Sequence, residues 1–122
     1  MGDAERRERG LARLAELGDE PGGEEFLARM GDLGDWLVDF VFGDVHARPG
    51  LTARERELII VAVLTTLGSS DPQVAAHVRA LRMIDVPFAE IEETILQTAP
   101  YAGFPRAINA LKVLRAEQEA EA

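Results

Sequence analysis

Two histidines carry most of the chemistry open to this chain. There is no cysteine, which removes thiolate nucleophiles, thiolate metal sites, disulfides and dithiol redox chemistry together. His77 lies on an apolar stripe with Val74, Val78, Leu81 and Ile84. It reads either as a core histidine bonded to a backbone carbonyl or as a general acid or base tuned by its surroundings. His46 stands in a loop beside Asp44 and Arg48, where a surface histidine is the plainer reading. Arg54 and Arg56 alternate with Glu55 and Glu57 ahead of an apolar run. This is the pattern of a solvated, mixed-charge helix start, or, for Arg56, of a cation reaching into a pocket to pair with a carboxylate. Tyr101 reads as a packing residue whose hydroxyl reaches water. The histidines are too far apart for an HExxH pair on one helix, and no spacing asks Asp44 or Glu57 to complete a metal set. No metal and no cofactor are expected. No Ser-His-Asp arrangement, phosphate loop or dinucleotide fingerprint is visible.

The elements that must position these groups belong to one small domain of 122 residues. Nearly half the residues are apolar, so the chain can bury a core. The net charge of −9 repels phosphate, which makes nucleic acid and anionic membranes poor partners. A few well-placed arginines can still favour a small anion locally. No apolar run approaches the roughly 20 residues of a membrane span. The opening MGDAERRERG lacks the apolar stretch of a signal peptide, so a cytoplasmic protein is expected.

Helix signals recur and strand signals are scarce. Residues 5–17 read as a charged helix with Leu11, Leu14 and Leu17 on one side, broken at Gly18 to Gly23. A second helix is expected from Glu24 to Phe42, with Phe26, Met30, Leu33, Leu37 and Phe40 as its apolar stripe. Gly31 and Gly34 inside it either soften it or let another helix approach. Thr52 and Glu55 form a capping box for a third helix. Leu58 to Leu64 is then apolar at every position, as in a central helix or a subunit interface. Gly68 ends it. Ser70 with Gln73 is expected to cap the fourth, with Pro72 in its first turn. Pro87 opens the fifth, which buries Phe88, Ile91 and Ile95. Tyr101 to Pro105 forms the last turn. The sixth helix turns Ala107, Ile108, Leu111 and Leu114 inward and frays in AEQEAEA. The expectation is an all-α, single-domain, six-helix bundle.

Three motifs carry the reading further. They are Phe42-Gly43-Asp44-Val45-His46-Ala47-Arg48-Pro49-Gly50-Leu51; Arg56-Glu57-Leu58-Ile59-Ile60, followed by His77-Val78-Arg79-Ala80; and Glu90-Ile91 through Gln97-Thr98-Ala99-Pro100-Tyr101-Ala102-Gly103-Phe104-Pro105-Arg106-Ala107. In order and spacing, over about residues 24–115, they resemble the carboxymuconolactone decarboxylase family. One branch of that family resembles the alkylhydroperoxidase D proteins, which use a CxxC pair ahead of the histidine. Here Ser69 to Ala76 has no cysteine, so peroxide reduction by that mechanism is excluded. The resemblance is to the cysteine-free branch.

It implies an alkylhydroperoxidase D-like fold and decarboxylation of 4-carboxymuconolactone to an enol-lactone in aromatic catabolism. It also implies homotrimers or homohexamers of helical subunits. No cofactor is implied, because the electrons left by CO2 delocalise into the unsaturated lactone. His77 would be the proton donor or oxyanion partner, with Tyr101 and Glu57 in support. Arg56 would grip a carboxylate, with Arg48 as a second candidate. The branch usually has an aromatic residue where this chain has His46 and a Glu where it has Asp44. His46 is thus either a new catalytic group or the mark of a different substrate, and Asp44 a part of its binding site. Asp85 stands where the family often has Gly, and Pro87 where it often has a capping Thr. These departures keep open a diverged member acting on another cyclic or biosynthetic substrate, or a non-catalytic oligomeric binding protein.

Overall fold

The computed structural model describes residues 3–122, and every described element is helical. The described residues contain seven α-helices and one π-helical segment, where the sequence pattern predicts six helices. They form two compact units, one up to Ala53 and the other Arg54–Ala122.

The first unit holds α1 (Asp3–Glu16), α2 (Gly23–Arg29), α3 (Asp32–Trp36) and the π-helical segment (Leu37–His46). The single helix expected over residues 24–42 is therefore divided. Gly31 takes φ 58, outside helical space, and separates α2 from α3. The chain then widens into i→i+5 bonding, as in the Ala47 N–H donating to the Phe42 carbonyl at 3.1 Å. The buried positions are Gly34, Val38, Phe42, Gly43 and His46. The expected stripe is consequently the wrong face: Phe26, Met30, Leu33 and Phe40 are all exposed.

α1 crosses this segment closely. A Cβ on Gly10 would collide with the Val38 carbonyl, and one on Gly43 with the Arg6 carbonyl. In α1 it is Gly10 that is buried, while Leu11 is exposed. Arginines fasten the crossing. Arg6 donates to both carboxylate oxygens of Asp44, and Arg7 pairs with Asp35 and Asp39.

The second unit holds α4 (Ala53–Leu67), α5 (Asp71–Met83), α6 (Phe88–Ala102) and α7 (Phe104–Glu121). Its core is built from Val61, Val74, Val78, Leu81, Val86, Ile91, Ile95, Ala107, Ala110 and Leu114. The apolar run of α4 is not covered on every side. Glu57, Val61 and Thr65 form its buried face, and Ile59 and Val63 remain about half exposed. Gly68 (φ 75) ends α4 as expected. The expected Ser70 cap does not form, because its hydroxyl instead donates to the Gly68 carbonyl at 3.1 Å. Asp85 takes φ 63 in the turn before α6, a left-handed conformation that Asp tolerates better than most residues. α6 runs through Pro100 and Tyr101, so the last turn narrows to Gly103 at φ 96. α7 buries Ala107, Ala110 and Leu114, with Ile108 outward. Its end does not fray. Arg79 pairs with Glu117 at 2.6 Å and Arg82 with Glu121 at 2.9 Å, which holds the helix to Glu121.

Candidate functional site

α4 and α5 bring together the two groups best suited to proton transfer. Glu57 shares the buried face of α4 with Val61 and Thr65, one turn apart each, and is 0% exposed. His77 projects from α5, where Val74 and Val78 beside it are anchored in the core. Its Nδ1 lies 2.7 Å from Glu57 Oε1. An ionised carboxylate only accepts, so the imidazole donates from Nδ1 and leaves Nε2 as the position for proton exchange. The His77 side chain keeps 23% of its surface while its partner keeps none. A buried carboxylate is costly unless bonded, so Glu57 holds the ring in one orientation. The result is an oriented imidazole with a negative charge behind it, an arrangement suited to moving one proton.

The second unit also contains Arg56 and Tyr101. Arg56 precedes Glu57 on α4 and is half-buried. Its neighbour Arg54 forms an ion pair with Glu90 of α6. Tyr101, near the end of α6, is 87% exposed and contributes little to packing.

His46, Asp44 and Arg48 belong to the first unit. His46 is not the surface histidine its neighbours suggest; it is 2% exposed. Arg13 of α1 donates to its Nδ1 at 3.0 Å and to its carbonyl at 2.7 Å, and Phe42 packs on the ring at 5.2 Å. Asp44 is bound by Arg6 and lies 3.5 Å from Arg9. The Arg6 hydrogen bond holds its carboxyl below the ordinary carboxylate range. Arg48 is exposed.

Glu57 was expected only through the family resemblance; the residue pattern alone missed it and two further features. Glu57 was hidden by the alternating charges around it; the signal was its spacing of four from Val61 and of eight from Thr65. The arginines of α1 read as part of a charged helix, yet Arg6, Arg9 and Arg13 recur on one face and all reach the π-helical segment. Third, surface hollows lie along α7 at Ile108, Leu111 and Arg115 and on α2 at Phe26 and Met30, and neither is lined by a predicted site residue. Among the described residues, no three His, Asp or Glu side chains are grouped to hold a metal ion. No described helix is long and apolar enough to cross a membrane.

Comparison with known proteins agrees with the motifs. The chain is 33% identical over 109 residues to the 4-carboxymuconolactone decarboxylase of Acinetobacter baylyi, covering 86% of this chain and 81% of that one. It is 30% identical over 89 residues to an uncharacterized 15.0 kDa protein of Paracoccus denitrificans from the nqo9-nqo10 intergenic region, covering 70% of this chain and 66% of that one. Residues 31–116 match the model of the carboxymuconolactone decarboxylase family, a span that contains His77, Glu57 and the Tyr101–Pro105 turn. The all-helical architecture is that expected of the family, and on the extent of these matches the chain belongs to the carboxymuconolactone decarboxylase family.

Proposed function

We propose that the protein is a cofactor-independent decarboxylase of a small carboxylated lactone resembling 4-carboxymuconolactone, acting in aromatic catabolism. The observation that carries this reading is the fully buried Glu57 carboxylate bonded to His77 Nδ1. A histidine kept only for packing needs no more than a backbone carbonyl; this one has a charged partner and a partly exposed ring. The bond between the ring carbon and the substrate carboxylate breaks and CO2 departs. Its electron pair delocalises through the unsaturated lactone onto the carbonyl oxygen as an enolate. His77, protonated on both nitrogens and steadied as imidazolium by Glu57, then gives its Nε2 proton to carbon; the Nδ1 proton stays on the now neutral ring, bonded to Glu57, and solvent returns a proton to Nε2. Arg56 grips a substrate carboxylate, with Tyr101 as a supporting group. No step needs His46 or Asp44, which Arg13 and Arg6 of α1 hold through His46 Nδ1 and both Asp44 carboxylate oxygens. The family match and the decarboxylase relative support the reaction class. The exposed apolar residues Ile59, Val63 and Leu67 of α4 support assembly as a homotrimer or homohexamer.

Incubation of the purified protein with 4-carboxymuconolactone should release one CO2 per enol-lactone formed. His77→Ala should lower the rate by about a hundredfold or more. Untouched substrate would refute the substrate assignment. Turnover of a different carboxylated ring by the same His77 would establish the diverged-member reading, which the His46 departure favours.

A further inference from the structure

We propose that Arg13, on a helix outside the family-matched residues 31–116, is a positioning residue that locks His46 in the Nε2–H tautomer. The tautomer follows from which atoms can donate and which can accept. Guanidinium nitrogens only donate and do not lose their protons in proteins. Arg13 Nη1 carries two hydrogens, and two acceptors lie within reach: the His46 carbonyl at 2.7 Å and His46 Nδ1 at 3.0 Å. Nδ1 must therefore present its lone pair, and the single proton of the neutral ring resides on Nε2. The guanidinium is itself held: its side chain is only 16% exposed, and Glu16 lies 3.6 Å from its Nε. Phe42 of the π-helical segment packs on the ring as well, with centroids 5.2 Å apart. Nearby, Arg9 donates to the Gly43 carbonyl at 3.2 Å and Arg6 occupies Asp44, so the segment carrying the imidazole is fixed as well.

The consequence is a contrast between the only two histidines of the chain. His77 meets an acceptor, Glu57, and holds its proton on Nδ1. His46 meets a donor, Arg13, and holds its proton on Nε2. With Nδ1 accepting from Arg13, the ring hydrogen of His46 lies on Nε2. Arg13 of α1 thus sets the direction of hydrogen bonding around the ring.

Nitrogen NMR of the imidazole rings in the intact protein tests this at about pH 8, where a histidine is ordinarily neutral. Two ring patterns are expected, one protonated on Nδ1 and one on Nε2, with the second assigned to His46 by its loss in His46→Gln. Arg13→Ala should replace the His46 pattern by the exchange-averaged signals of an unconstrained ring and leave the His77 pattern in place. Arg13→Lys, which restores a cationic donor, should keep Nδ1 unprotonated. A proton on His46 Nδ1 in the unaltered protein would overturn the proposal, and that measurement needs no variant to fold. An unchanged His46 pattern in a folded Arg13→Ala protein would overturn it equally.

Discussion

At the scale of the residue, the pair to consider is Glu57 and His77. The apolar stripe of α5 made His77 conspicuous in the sequence, because Val74 and Leu81, one turn to either side, are core residues. Glu57 was not legible in the same way. Four alternating charges look like a solvated face, and only the buried line with Val61 and Thr65 shows otherwise. If Glu57 acts by orienting the ring and stabilising its charged form, Glu57→Gln should still accept the Nδ1 hydrogen bond but lose the negative charge. We expect kcat on a carboxylated lactone to fall about 10- to 100-fold with little change in KM. Steady-state kinetics of the two single variants and the double variant check this, with the double expected to be no worse than His77→Ala. In stability, His77→Ala removes a bonding partner of a buried carboxylate and should cost about 2 kcal/mol. Urea unfolding of the isolated protein measures it.

At the scale of the element, the crossing of α1 over the π-helical segment depends on the absence of side chains at Gly10 and Gly43. A methyl group at either position meets backbone, which cannot yield as a flexible side chain can. Gly43→Ala should destabilise the first unit by about 2 kcal/mol, seen as a lower urea midpoint in circular dichroism. Ala at Gly50, where a Cβ meets open space, should be neutral by comparison. The other end of the chain is held differently. Arg82 forks onto both oxygens of Glu121, donates to the Val86 carbonyl at 3.0 Å and lies over the Phe88 ring at 4.3 Å. Arg82→Ala should release the last turn of α7, with amide exchange at residues 117–121 rising to that of a frayed end. High salt should move the native protein part of the way there. The helices of the second unit were largely legible, because 3.6-residue periodicity and Gly or Pro stops mark them. The division of the second predicted helix was not, since Gly31 and Gly34 fit both a softened helix and a broken one.

At the scale of the whole molecule, the acidic balance sets the response to pH. Asp44, Glu92 and Glu121 are each held below the ordinary carboxylate range by a hydrogen bond from Arg6, Arg115 and Arg82 in turn. The folded chain therefore binds these protons less readily than the unfolded chain. Their stabilisation is fully present above the unfolded carboxylate range and is lost as pH falls through the lowered values. Calorimetry should show a melting midpoint that these groups leave steady down to about pH 5 and that drops below about pH 4. Asp44→Asn should shrink the acid-dependent part of unfolding in the first unit and leave that of the second in place.

Composition and local pattern by themselves determined that this chain is helical and lacks any thiol chemistry, and its motifs pointed to its family. Each of those properties is written in residues close together along the chain: a helical period, a stop, a short motif, or a residue type that is simply missing. Tertiary structure decided which apolar faces are covered, where the wide helical turn falls, and which polar groups meet. The pairs that matter most, Glu57 with His77 and Arg13 with His46, are separated by 20 and 33 residues. Periodicity fixes the face on which a side chain emerges but not the element that face will meet. That choice is made by close packing between distant segments, where a glycine at a crossing and an arginine with two acceptors outweigh local propensity.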